Sequence, residues 1–202
     1  MKSESQARRF KSKRNTVFLE GNTVVKRLKC PAKAKSEADM LDLLRRGGLA
    51  VPQVYGVDGC EITMEYVNAI PLPDLLDIWE ESPDAAMQET VARKTVEWLR
   101  QFYGIVAPMS RGDINGRNFL FDGEKIWGVD FEEPGSGSIL EDIGMLAAYA
   151  LAYSPPHTGV KQKFAAQIAD FASEAFGISA EDLRLSREAA LESLERKRAA
   201  RA

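Results

Sequence analysis

The chain has 202 residues, 45% of them apolar and 28% charged, a composition ordinary for a soluble globular protein and long enough for one well-buried core or two small lobes. No apolar run approaches the roughly 18 to 20 residues that a membrane helix needs, and the basic start "MKSESQARRFKSKRN" lacks the apolar stretch of a signal peptide, so the chain reads as cytoplasmic. The net charge of −3 conceals an asymmetry: residues 1–46 hold 13 Lys/Arg against 5 Asp/Glu, and residues 47–202 hold 14 against 25, so a basic first segment suits phosphate groups while the acidic remainder argues against a broad nucleic-acid surface.

In chain order, residues 16–19 and 23–28 form two β-branched runs around Glu20-Gly21-Asn22, which predicts a hairpin. Residues 33–46 place Ala34, Ala38, Leu41 and Leu44 or Leu43 at helical spacing behind Pro31 and stop at Gly47-Gly48. Cys30 and Cys60 lie in no C-x-x-C pair and have no nearby His, so they read as free thiols. Residues 53–57 and 61–66 give two more strands around Asp58-Gly59, and "NAIPLPDLLD" follows as a polar, proline-punctuated connection. Long helical segments are expected over residues 84–103, 140–153, 161–176 and 180–198, with a hairpin of short apolar strands, 119–121 and 125–129, between the first two. His157, the only histidine, sits in a proline loop and reads as surface.

The second hairpin carries the chemistry. Asp113 and Asn118 in "GDINGRN" precede its first strand and Asp130 in "GVDFE" follows its second, so a hairpin brings two carboxylates and a carboxamide toward one point. Such hard oxygen donors suit Mg²⁺, which shares its ligands with substrate phosphates.

G-D-x-x-x-x-N followed by x-D-F across a hairpin resembles the catalytic core of the protein-kinase-like superfamily. "VVKRL" resembles the strand with the phosphate-binding lysine, here Lys26, and "SEADMLDLL" the helix with its glutamate, which makes Glu37 the partner ahead of Asp39 and Asp42. "ITMEYV" resembles the segment that runs past adenine, with Met64 lining it and backbone groups of Glu65 and Val67 making polar contacts. "LEDIGML" resembles the helix beginning with a structural aspartate, Asp142, expected to bind catalytic-loop amides or cap its helix. Within the superfamily, the short length and the wording "GDINGRNFL" and "DFEE" resemble the aminoglycoside phosphotransferase and choline kinase group, lipopolysaccharide sugar kinases, and the small kinases of the tRNA threonylcarbamoylation complex.

The resemblance implies an α+β, bilobal protein-kinase-like fold, with a small antiparallel-sheet N-lobe over residues 1–67 and a mainly helical C-lobe over 68–202. It implies ATP and Mg²⁺ as cofactors and phosphoryl transfer to a hydroxyl of a small molecule or protein. Asp113 becomes the catalytic carboxylate, Asn118 and Asp130 the metal ligands, and Lys26, held by Glu37, the phosphate ligand. The rival readings are a nucleotide-binding pseudokinase scaffold and an ATPase subunit of a tRNA-modifying assembly. Three departures stand out. No glycine-rich loop precedes Lys26, and the basic turn at residues 11–14, with Lys11 and Lys13, is expected to hold phosphates in its place. Arg111 replaces histidine before Gly112-Asp113, where its guanidinium could reach phosphate, and Glu132 replaces the glycine after Asp-Phe, where it could support the metal. The basic end of "LESLERKRAARA" stabilises its helix or offers a docking point for a protein or RNA.

Overall fold

Pairing of the β-branched segments sets the first half of the computed structural model, which describes residues 8–10, 15–132, 135 and 137–200. Strands β2 (Thr16–Glu20) and β3 (Thr23–Arg27) pair from Thr16↔Arg27 to Glu20↔Thr23, and Gly21, at φ 60°, supplies the left-handed turn residue. Strand β3 also pairs antiparallel with β5 (Glu61–Glu65), and β5 with the edge strand β4 (Val54–Asp58). A strand not anticipated from sequence, β1 (Arg8–Phe10), joins β2 at the other edge, giving the order β1-β2-β3-β5-β4.

Helix α1 (Pro31–Arg46) begins with proline, whose missing N–H is harmless in a first turn, and ends at Gly47 and Gly48. Its buried residues Ala34, Glu37, Ala38, Leu41 and Leu44 fall on one face, which packs on β4 and β5. Leu41 and Leu44 are almost fully buried, and each such leucine contributes about 1.5–3 kcal/mol. The single charged member of that face, Glu37, therefore requires a partner.

The chain divides into two units, Met1–Asn68 with Gly128–Glu132, and Ala69–Trp127 with Glu133–Ala202. The returning segment is tied into the first unit by Gly128, whose N–H donates to the Ala50 carbonyl at 3.0 Å.

The second unit is mainly helical: α2 (Leu72–Glu81), α3 (Ala85–Val106), α4 (Ile139–Ala152), α5 (Gly159–Phe176) and α6 (Ala180–Ala199). Helix α2 corrects the expected polar connection. Leu72, Leu75, Leu76 and Trp79 form a buried helical stripe, and the prolines that suggested a loop occupy its cap and first turn, where they are tolerated. Asp84, Ser138, Thr158 and Ser179 cap α3 to α6 through their side chains, and Ser138 and Glu141 complete a reciprocal capping box. Helix α4 packs against both α5 and α6, with Ala148, Ala152, Ala190 and Leu194 in one cluster. Lys161 is fully buried, donates to the Pro155 carbonyl at 2.8 Å, and lies 3.6 Å from Glu80 of α2.

Strands β6 (Ile70–Pro71), β7 (Phe119–Phe121) and β8 (Ile126–Gly128) form a second small sheet. Asp122 closes its hairpin, accepting from the N–H groups of Glu124 and Lys125, each at 2.8 Å, and from Trp127 Nε1 at 2.7 Å. Among the described residues, no helix is long and apolar enough to cross a membrane.

Candidate functional site

The first unit answers the charge on the buried face of α1. Lys26 Nζ donates to Glu37 Oε1 at 2.8 Å, to Glu37 Oε2 at 2.7 Å and to Asp130 Oδ1 at 2.8 Å. The Lys26 side chain is 7% exposed, Glu37 1% and Asp130 43%. Burial works against the Lys26 charge, but Glu37 and Asp130 outweigh it and raise the amine above its ordinary value. Burial is also the largest influence on Glu37, raising it despite the adjacent ammonium. Glu37 Oε1 further accepts the Phe131 N–H at 3.2 Å, so one carboxylate fixes both the lysine and the backbone beside Asp130. Asp39, the alternative partner, instead pairs with Lys35 at 2.8 Å on the exposed side of α1.

Asp130 has φ 63°, a left-handed conformation that strains a non-glycine residue and commonly marks a functional position. Glu132, expected to support the metal, is engaged by two donors. Its Oε2 accepts from Asn15 Nδ2 at 2.6 Å and its Oε1 from Lys33 Nζ at 2.9 Å. Burial would raise this carboxyl, but those two donors hold it below the usual range, so Glu132 fastens the start of β2 and α1 to the returning segment. Lys11 and Lys13 lie outside the described residues.

Met64 is buried, Glu65 and Val67 are half-buried. The Glu65 N–H donates to the Gln53 carbonyl at 2.8 Å.

In the second unit, the loop before β7 presents Asp113 exposed and Asn118 buried. Asn118 Nδ2 donates to the Asp113 carbonyl at 3.0 Å, which orients the amide and leaves its oxygen as the atom available to a cation. The base of the loop is fixed by Asp142, which accepts from the Arg111 N–H and from Tyr103 Oη, each at 2.6 Å. Of the two roles expected for Asp142, loop binding is the one observed; the cap of α4 is Ser138. Arg111 is a further correction. It is 1% exposed, its charge acts on Asp142 and Tyr103, and no phosphate in solvent can meet its guanidinium. Ser110 and Gly135 exchange two backbone hydrogen bonds, at 3.1 and 3.2 Å, pinning the loop from the other side. A side chain at Gly135 would place its Cβ 2.5 Å from Gly112 Cα, so only glycine fits there.

Sequence reasoning missed the participation of Asn115 and Tyr153. Asn115 caps a 3-10 turn, Gly116–Asn118, through Oδ1 to the Arg117 N–H at 3.0 Å, and Tyr153 Oη donates to the same oxygen at 2.7 Å. The cap was readable from an Asn two residues before Arg117; the tyrosine, 38 residues on, was not. Among the described residues no three His, Cys, Asp or Glu side chains cluster to hold a metal.

An antiparallel five-stranded sheet with one helix, followed by a mainly helical unit, is the protein-kinase-like arrangement. It is shared by a solved choline/ethanolamine kinase family protein from Mesorhizobium loti, with a TM-score of 0.58 at 16% identity, covering 95% of this chain and 87% of that one. The family model described as the RIO domain matches residues 1–134, and the chain belongs to the RIO domain family. Membership implies ATP-binding phosphotransferase chemistry in general. No curated protein matches the chain.

Proposed function

We propose that the protein is an ATP- and Mg²⁺-dependent phosphotransferase that moves the γ-phosphoryl group to a hydroxyl of a small molecule or protein. The observation that carries this reading is the Lys26 ammonium, immobilised by Glu37 and joined to the partly exposed carboxylate of Asp130. A cation whose stem is fixed presents its charge to phosphate oxygens at a defined point, and this reaction needs positioning and charge more than covalent help.

Asp130 offers a carboxylate, and Asn118 an amide whose nitrogen is already engaged, so both present the hard oxygen donors that Mg²⁺ prefers. Bound by these residues, the ion would neutralise phosphate charge. The Glu65 carbonyl, the Val67 N–H and the Met64 side chain would receive the adenine. Asp113, exposed at the tip of its loop, would orient the acceptor hydroxyl. The acceptor oxygen then attacks the γ-phosphorus, the bond to the β–γ bridging oxygen breaks, ADP leaves with that electron pair, and the hydroxyl proton passes to the Asp113 carboxylate.

Calorimetry should find Mg²⁺-dependent ATP binding by the wild type, weakened about tenfold or more in Asp130→Ala by loss of a metal carboxylate. A screen of ATP consumption over aminoglycosides, choline-like amines, sugars and proteins, with Asp113→Ala as the blank, should then identify the acceptor. Absence of Mg²⁺-dependent binding at millimolar ATP would overturn the enzyme reading and favour a scaffold.

A further inference from the structure

We propose that Tyr153 is a positioning residue for phosphoryl transfer, acting through Asn115 to set the spacing of Asp113 and Asn118; the claim rests on the phosphotransferase reading above. Four residues lie between Asp113 and Asn118, and nothing in their sequence makes the loop rigid. Its order comes from a continuous path of hydrogen bonds. Tyr153, the C-cap residue of α4, donates through Oη to Asn115 Oδ1 at 2.7 Å. The same oxygen accepts the Arg117 N–H at 3.0 Å, and two donors on one atom decide which end of the amide is oxygen. The Asn115 carbonyl accepts the Asn118 N–H at 2.9 Å, and Asn118 Nδ2 returns to the Asp113 carbonyl at 3.0 Å. Every link between α4 and the two loop residues is therefore occupied.

Packing enforces the same arrangement. A Cβ on Gly116 would stand 3.1 Å from Tyr153 Oη, 3.4 Å from its Cε2 and 3.7 Å from Pro73 Cδ, so the loop lies against the phenol and a side chain there would press on its hydroxyl. Burial, the largest influence on the phenol, raises its pKa well above the ordinary value, so it stays a neutral donor at working pH. A phenol that only filled space would not need its hydroxyl on the one amide that caps this turn. Positioning to within about half an ångström is what such a loop requires, and a displacement of about 1 Å can reduce rate up to about a hundredfold.

Tyr153→Phe keeps the ring and removes the donor. With Mg·ATP as the probe and water as acceptor, kcat should fall about tenfold while KM for ATP rises by much less, because Lys26, Asp130 and the adenine contacts are untouched and Asn118 alone among the metal donors moves. The midpoint of thermal unfolding should move little. Amide exchange at Arg117 and Asn118 should quicken about tenfold. Asn115→Leu should give a similar loss, and the double variant little more, since the two residues form one link. Additive losses, a change confined to KM, or unchanged loop exchange beside an active wild type would each overturn the positioning role alone. A wild type that turns over no ATP with water or with any acceptor of the screen above overturns the phosphotransferase reading and this role with it.

Discussion

Lys26 serves two carboxylates, and the cost of removing each partner is unequal. Lys26→Met leaves Glu37, 1% exposed, without the cation beside it. Breaking a buried pair by removing one partner costs about 3–5 kcal/mol, because the remaining charge keeps its desolvation penalty. Glu37→Gln keeps the shape and an acceptor for the Phe131 N–H, and leaves Lys26 with Asp130, so it should cost less than half as much. The double variant carries no unpaired buried carboxylate at position 37 and should be more stable than Lys26→Met alone. Urea unfolding of the four proteins decides this: a double variant weaker than both singles would mean that the pair acts by packing instead of charge.

At the scale of elements, the β7–β8 hairpin and the α4–α6 contact make separate predictions. Burial would raise the Asp122 carboxyl, but Trp127 and the two turn amides outweigh it and lower its pKa below the ordinary 3.8. A lowered carboxylate contributes stability that is present above its unfolded pKa and is lost as pH falls through the folded value. Asp122→Asn should therefore flatten the acid limb of the stability profile, below about pH 4, read by Trp127 fluorescence; an unchanged limb would assign acid sensitivity elsewhere. In α4, Gly144 meets α6 so closely that a Cβ would lie 2.8 Å from the Ser186 carbonyl carbon. Alanine would gain about 0.8–1 kcal/mol of helix propensity, but overpacking against backbone costs about 1–3 kcal/mol. Gly144→Ala should therefore lower the unfolding midpoint, and a rise would show that the helices separate easily.

Across the whole molecule, what the sequence made legible was local. The β2–β3 hairpin followed from β-branched runs around Gly21, and α1 from its apolar spacing between Pro31 and Gly47. Glu37 was found as the partner of Lys26 because a known pattern ordered them, and spacing alone did not separate it from Asp39; the pairing of Lys26 with Asp130, expected as a metal ligand, was not anticipated. What stayed hidden depends on depth or distance. Strand β1 has three residues, two of them Arg, and no alternation to read. Prolines in a first turn disguised α2, and nothing local reveals that Arg111 is enclosed or that Glu132 meets Asn15. The charge asymmetry also softens when counted by folded unit. The first holds 13 Lys/Arg against 10 Asp/Glu and the second 14 against 20, because the unit extends over Asp58, Glu61 and Glu65 and the returning segment adds Asp130 and Glu132.

That return, Gly128–Glu132 within the first unit, governs how the chain can be divided or recombined. A fragment ending at Asn68 would keep Lys26, Glu37 and Lys33 yet lack the Asp130 carboxylate, the Phe131 amide and the Glu132 carboxylate that answer them. No single cut yields an intact half. Exchange of this unit alone between related sequences needs three crossovers, near residues 68, 127 and 132, so the unit is a bracket enclosing other chain and never a prefix. The family match, running through residue 134, encloses the whole bracket.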